Sequence, residues 1–267
     1  MAEIGIVGYG YVGKAVAASI KTRYSNNITI FDKSERINRP FEDTTIDNTI
    51  NRLDVLFVCL PTPTENGIQN SSYLYNFFHK LEQVKYKGIV VIKSTVLYSS
   101  IKQYITKFKI VVNPEFLNAQ TSIFDFHEQK HIVLGGDPII VNQIKSLYNE
   151  YFDLPNITKT ESSFYNFTLC TIQEAIHFKY IRNLKNSLNV LYWNMVEDIT
   201  DDAEKMSDMM RYFPTDELSN IFHNGYRGYG GACLQKDAQA LLNDTHHKFI
   251  ENMEEYNERL HHCREAY

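Results

Sequence analysis

Glu3-Ile4-Gly5-Ile6-Val7-Gly8-Tyr9-Gly10-Tyr11-Val12-Gly13 joins a short apolar run to a G-x-G-x-x-G segment. The run reads as a buried strand, and Lys14 to Ile20 favours a helix. A second apolar run, Ile28-Thr29-Ile30-Phe31, ends at Asp32, about 20 residues past the glycines. The glycines permit a tight turn and close approach of a pyrophosphate. The helix start presents oriented N–H groups, and a carboxylate at the second strand end suits ribose hydroxyls. The stretch therefore predicts a dinucleotide-binding βαβ unit with Gly8, Tyr9, Gly10, Tyr11, Val12 and Gly13 around the phosphates. Asp32 favours NAD over NADP, because a carboxylate repels a 2′-phosphate; Lys33 beside it is a further cofactor candidate.

The same alternation continues outward. Asp54 to Leu60 is a continuous apolar run, as expected of a strand buried on both faces. It ends at Pro61-Thr62-Pro63-Thr64, on the carboxyl edge where such sheets hold ligands, which makes Pro61, Thr62 and Thr64 candidate cofactor contacts. Cys59 reads as a core residue. Ser71 to Val84 predicts a helix, Gly88 to Lys93 a strand running into Ser94-Thr95-Val96, and Ile110 to Asn113 a strand running into Pro114-Glu115-Phe116-Leu117. His131 to Gly136 and Pro138 to Phe152 add a strand and a helix. The rhythm predicts an α/β protein: a Rossmann-type, doubly wound parallel sheet over residues 1–158, then an all-helical dimerisation region over 159–267. Thr95 and Glu115 then sit just past strand ends near the nicotinamide, or are ordinary loop residues.

Ile172 to Ile199 has no Gly or Pro, and Ile181, Leu184, Leu188, Leu191 and Met195 recur at steps of three and four. That predicts one long helix with a buried apolar seam. Lys179 and Asn183, one turn apart, could aim an ammonium and an amide at one site; a solvated face is the alternative. Asp201 to His223 reads as a second helical region. It leads to Gly228-Tyr229-Gly230-Gly231-Ala232-Cys233-Leu234-Gln235-Lys236-Asp237, one cysteine among glycines with a lysine and an aspartate behind it. Electropositive surroundings favour a nucleophilic thiolate, whereas a plain Gly-rich turn with a small apolar Cys needs no chemistry. Phe249, Met253, Tyr256, Leu260, Cys263 and Tyr267 form a last helical stripe. The two stripes predict a homodimer packed across a twofold axis.

Composition narrows the partners. A net charge of −5 without a basic block argues against nucleic acid. No apolar stretch is long enough to span a membrane, and the start runs straight into a strand, so no secretory leader is expected. Four scattered cysteines without a C-x-x-C pair fit a reducing, cytoplasmic compartment rather than a disulfide framework or zinc site. Adjacent histidines at 246–247 and 261–262 point apart on a helix and predict no metal.

Several of these segments resemble the UDP-glucose/GDP-mannose dehydrogenase family. They are Gly8–Gly13, Cys59-Leu-Pro-Thr-Pro63, Lys93-Ser-Thr-Val96, Asn113-Pro-Glu-Phe-Leu117, Lys179-x3-Asn183 with Asn194, Gly228 to Asp237, and Glu255-Tyr-Asn-Glu-Arg259, in the family's order. The resemblance implies NAD-linked oxidation of a nucleotide sugar at C6 to the acid, in two hydride transfers. It implies Cys233 as nucleophile, Lys179 and Asn183 at the oxyanion, Thr95 and Asp237 around a water, Glu115 as a base, and Lys236 at the cofactor phosphates. Glu115, Phe116, Leu117, Lys179, Asn183 and Gly230 would contact substrate. Three features depart from the family pattern. Asn118-Ala119-Gln120 lacks the usual second carboxylate, Gln235 replaces a proline, and the residues after Asp237 show no strand pattern for a further nucleotide-binding domain. The expected substrate is then an unusual or smaller sugar, or a partner chain completes the pocket. The alternative is a non-catalytic, NAD-binding dimeric subunit.

Overall fold

The computed structural model describes residues 1–32, 50–65, 68–155, 166–200, 202–210, 222–223, 226–227, 229, 238, 242 and 246–262. Its strands are β1 (Ile4–Val7), β2 (Ile28–Phe31), β3 (Val55–Val58), β4 (Thr64–Glu65), β5 (Ile68–Gln69), β6 (Ile89–Ile92), β7 (Lys109–Val112), β8 (Ile132–Gly136), β9 (Phe167–Cys170), β10 (Phe222–His223) and β11 (Tyr226–Arg227). The α-helices are α1 (Tyr11–Ala18), α2 (Ser72–Gln83), α3 (Tyr98–Ile101), α4 (Ser122–His127), α5 (Pro138–Tyr151), α6 (Ile172–Ile199), α7 (Ala203–Met210) and α8 (Lys248–His262).

Strand side chains alternate between two helical layers, which is why β1, β3 and β6 are buried along their whole length. Ile4, Ile6, Val55, Phe57, Ile89 and Val91 pack with Val16 of α1 and Val141, Ile144 and Tyr148 of α5. Val7, Leu56, Val58, Val90 and Ile92 pack with Leu74, Phe77, Phe78 and Leu81 of α2. Apolar residues on both faces of a strand require cover on both sides, the condition that favours parallel sheets. Asp137 starts α5 by accepting from Ile139 N at 2.9 Å and Ile140 N at 3.3 Å, with Pro138 next in the chain. Thr171 and Glu174 cap α6 reciprocally, Thr171 N donating to Glu174 Oε2 and Glu174 N to Thr171 Oγ1.

The seven-stranded sheet runs β2-β1-β3-β6-β7-β8-β9. It is parallel, as the alternation predicts, except where β8 turns against β7 over Val111–Gly136 and Val112–Gly135. Residues 167–170 add an edge strand beyond the point where only helix was expected. Phe167 is buried there, while Thr168 and Leu169 face solvent. Phe222 and His223, read from sequence as the end of a helical region, instead pair with Tyr226 and Arg227 in a short hairpin.

The chain divides into two compact units, residues 1–182 and 183–267. In the second, Met195, Val196 and Ile250 form a small core. Among the described side chains of the α6 stripe, Ile181, Leu184 and Leu188 are exposed and Met195 is buried, so the expected buried seam does not hold along that part of the helix. On α8, Met253 and Tyr256 of the expected stripe are exposed, whereas Ile250, Glu254 and Asn257 are buried. Among the described residues, no helix is long and apolar enough to cross a membrane, and no His, Cys, Asp and Glu group could hold a metal ion.

Candidate cofactor and active site

Strand register places the sequence landmarks in one row. Val7 aligns with Phe31 and Val58, Val58 with Ile92, and Ile92 with Val112. Gly8, Asp32, Cys59, Lys93 and Asn113 are the next residues, so all five lie on the carboxyl edge. The ladder continues through them, with Gly8 N to Phe31 O at 2.8 Å, Cys59 N to Val7 O at 2.7 Å, Lys93 N to Val58 O at 2.9 Å and Asn113 N to Ile92 O at 2.9 Å. β1 leads to β2 on one side and β3 to β6 on the other, so the crevice between them is a topological switch point.

The glycine loop fits this crevice closely. Gly8 has φ +90°, and a Cβ there would lie 2.5 Å from Cys59 O. A Cβ on Gly13 would lie 2.0 Å from Gly8 O, so the turn into α1 tolerates no side chain. A Cβ on Gly10 would meet nothing within 4 Å, which leaves open space at the start of α1, where N–H groups lack intrahelical acceptors. Asp32 Oδ2 accepts from Tyr9 N at 2.5 Å, fixing the loop to the end of β2. A cavity of about 370 Å³ is lined by Gly8, Gly10, Tyr11, Val12, Asp32, Pro61, Thr62, Thr95 and Glu115, together with Cys59 and Lys93. A second cavity, of about 580 Å³, shares Gly8, Asp32 and Pro61 and extends along Tyr73, Asn76 and His79 of α2. The two cavities share the Asp32 carboxylate, the arrangement expected of a dinucleotide site that straddles a ribose-binding carboxylate. Thr64 stands exposed on β4, outside both linings.

Thr95 and Glu115 share the first cavity, and each is anchored. Thr95 O accepts from Thr62 Oγ1 at 2.6 Å and from Gln69 Nε2 at 3.2 Å. Gln69 also donates to Tyr180 Oη at 2.9 Å and accepts from Leu97 N at 3.1 Å. Glu115 Oε1 lies 3.1 Å from Lys179 Nζ, and its Oε2 accepts from Leu117 N at 2.8 Å. Phe116 is half-buried, edge-on to Phe178 and under the Arg182 guanidinium at 4.5 Å. Lys179 is buried. Asn183, one turn on, is exposed and begins the second compact unit.

Burial sets the electrostatics. It pushes the Cys59 thiol up to about 12, so this thiol stays protonated and is not a candidate nucleophile. It lowers Lys93 to about 8. Tyr11 is raised by burial and by Glu115. Cys233, Lys236, Asp237, Gly230 and Lys33 lie outside the described residues, and for Asn194 only its place on α6 is described. Tyr229, four residues before Cys233, is held to α8. Its N–H donates to Asn257 Oδ1 at 2.8 Å, its carbonyl accepts from Asn257 Nδ2 at 2.8 Å, and its hydroxyl donates to the buried Glu254.

Sequence reasoning gave no role to Gln69, Lys93, Asn113, Tyr148, Glu254 or Asn257. Lys93 carried a signal, a charged residue closing a run apolar enough to be buried. Asn257 lay within a noted segment. Gln69 had none, since its bonds reach the distant loop after β6 and Tyr180 of α6.

A model described as the UDP-glucose/GDP-mannose dehydrogenase family, NAD binding domain, matches residues 36–152, and that family's central-domain model matches residues 173–259. The chain is 27% identical over 271 residues to a UDP-glucose 6-dehydrogenase of Campylobacter jejuni, covering 90% of this chain and 67% of that one. It is 24% identical over 287 residues to a GDP-mannose 6-dehydrogenase of Pseudomonas putida, covering 90% and 63%. A solved ternary complex of GDP-mannose dehydrogenase from Pseudomonas aeruginosa shares the fold, with a TM-score of 0.77 at 21% identity over 97% of this chain and 69% of that one. The chain thus spans about two thirds of the length of these relatives.

Proposed function

The chain belongs to the UDP-glucose/GDP-mannose dehydrogenase family, with its NAD-binding and central domains, and from that premise we propose that it oxidises the C6 alcohol of a sugar or nucleotide sugar to the acid. The observation that carries the reading is the shared cavity: the glycine loop and Asp32 line it together with Thr95 and with Glu115, and Lys179 reaches Glu115 from α6. NAD, when bound, accepts hydride.

In this reading residues 1–158 bind the cofactor and 159–267 supply the reactive cysteine. Gly8 to Gly13 cradle the pyrophosphate with Lys236, and Asp32 takes the ribose hydroxyls. Thr62 holds the Thr95 loop. Loss of a hydride and the hydroxyl proton from the alcohol gives an aldehyde, and the Cys233 sulfur adds to its carbonyl carbon, with the thiol proton passing to the oxygen, to form a thiohemiacetal. Loss of a second hydride together with the thiohemiacetal hydroxyl proton leaves a thioester, and water releases the acid and returns the thiol. Lys179 and Asn183 stabilise the oxyanion. Thr95 and Asp237 orient the water, with Glu115 as base. Phe116, Leu117 and Gly230 contact the sugar.

The exposed apolar residues of α6 and α8 support a homodimer. Ile181, Leu184 and Leu188 share one face of α6, and Met253 and Tyr256 stand out on α8. Such faces are covered in the assembled protein.

The test is NADH formation by the purified chain with a panel of UDP-, GDP- and simple sugars, repeated in Cys233→Ala. Turnover that needs Cys233 supports the reading. Tight NAD binding without turnover on any sugar favours the non-catalytic subunit.

A further inference from the structure

Two ammonium groups and one carboxylate meet at the carboxyl edge of β6 and β7. Glu115 is matched by Lys179 at 3.1 Å. Lys93 is only 3% exposed, and no carboxylate among the described residues pairs with it. Its Nζ donates to the neutral Asn113 Oδ1 at 2.9 Å and lies 5.1 Å from the centre of the Phe126 ring. Asn113 is fixed in that orientation. Tyr148 also donates to its Oδ1, at 2.5 Å, and its own Nδ2 donates to Val133 O at 2.8 Å. The three groups therefore leave one uncompensated positive charge in a buried position. Lys93 lines the same cavity as Thr95 and Glu115.

We propose that Lys93 sets the oxidation-state preference of the cofactor site, disfavouring the cationic nicotinamide of NAD⁺ and accepting the neutral ring of NADH. This rests on reading that cavity as the nicotinamide half of the dinucleotide site. Like charges repel more strongly where water is excluded, and a buried cation at the cavity wall changes relative affinity by roughly tenfold or more. The preference pulls hydride transfer toward the oxidised sugar, since the site holds the reduced cofactor better than the oxidised one.

The groups facing Lys93 are the Cys59 thiol, Glu115 and Lys179, and Tyr148 shares its acceptor. Burial pushes Cys59 to about 12 and raises Tyr148 as well, so neither ionises near neutrality. Glu115 and Lys179 are paired with each other. Lys93, brought to about 8 by burial, is then the group that loses its charge in mildly basic solution. NAD⁺ binding tightens as pH rises through that value, and NADH binding does not.

The test is equilibrium binding of NAD⁺ and NADH to the purified protein below and above pH 8, in wild type, Lys93→Gln and Lys93→Arg. In wild type the ratio of the NAD⁺ to the NADH dissociation constant falls about tenfold from low to high pH. Lys93→Gln keeps a donor for Asn113 and gives the low ratio at both pH values. Lys93→Arg keeps its charge and gives the high ratio at both. A flat ratio in wild type overturns the proposal, as does a pH-dependent ratio that persists in Lys93→Gln. Wild-type protein that binds neither dinucleotide overturns it together with its premise.

Discussion

Lys179 and Glu115, 64 residues apart, form a buried ion pair, with Nζ 3.1 Å from Oε1 and side chains 10% and 8% exposed. Lys179 also donates to the Glu115 carbonyl at 2.5 Å. The pair ties α6 to the loop after β7, and each group's proposed chemistry begins from this paired state. Removing one partner strands the other. Lys179→Met is expected to destabilise the first unit by about 3–5 kcal/mol in urea unfolding, and Lys179→Met with Glu115→Leu to recover much of that loss. If the single variant matches wild type, the pair is not formed in solution.

Lys93 makes stability depend on pH with a definite sign. Its folded value, about 8, lies below the ordinary 10.5, so the unfolded chain binds more protons between them. Its contribution is fully present above pH 10.5 and is lost as pH falls through 8. At pH 7 the buried charge costs on the order of 3 kcal/mol. Lys93→Met is therefore expected to be more stable than wild type at pH 7, with the gap closing toward pH 10. Denaturant midpoints across that range read the difference.

Gly8→Ala tests the turn. The φ of +90° strains any L side chain, and the added Cβ meets Cys59 O at 2.5 Å. A loss of about 2 kcal/mol or more is expected, along with weaker NAD binding. Calorimetry with and without NAD measures both effects.

Asn257→Leu removes both hydrogen bonds that hold the Tyr229 backbone. The loss is expected at about 1–3 kcal/mol from the unpaired buried groups. Turnover should fall while the dissociation constant for NAD stays near wild type, because Tyr229 leads into Cys233 and not into the glycine loop. A variant that loses NAD affinity instead would assign the clamp to the fold of the first unit.

Leu184→Glu with Leu188→Glu places charge on the exposed face of α6. Sedimentation is expected to show wild-type dimer and variant monomer. Wild-type protein that stays monomeric at micromolar concentration would contradict the proposed assembly.

The sheet was legible because both its signals are local. Apolar runs of strand length punctuated by glycine, proline and asparagine give β1, β3, β6 and β7, and their common register follows from parallel pairing. The antiparallel turn of β8 was not legible, since His131 to Gly136 reads the same in either direction. β9 was hidden because an edge strand with Thr168 and Leu169 outward carries little apolar pattern.

Within the candidate site, the positions that follow directly on strand ends were legible. Gly8, Asp32, Thr95 and Glu115 follow from spacing, because the strand that precedes each fixes its place on the edge. The Glu115–Lys179 pair did not follow, since it depends on how α6 packs. The α8 stripe shows the limit of periodicity. Phe249, Met253 and Tyr256 gave the stronger pattern, yet the buried face is Ile250, Glu254 and Asn257. Its polar members are buried because they bond Tyr229, a contact that hydrophobicity does not reveal.

Covalent chemistry at Cys233 is read most directly by intact-protein mass spectrometry after acid quench. With NAD and a sugar that the chain turns over, an acyl adduct on Cys233 is expected, with two NADH formed for each acid released, and neither adduct nor acid in Cys233→Ala. Acid formation undiminished in Cys233→Ala, or wild-type turnover that stops at the aldehyde with an unmodified sulfur, would contradict it.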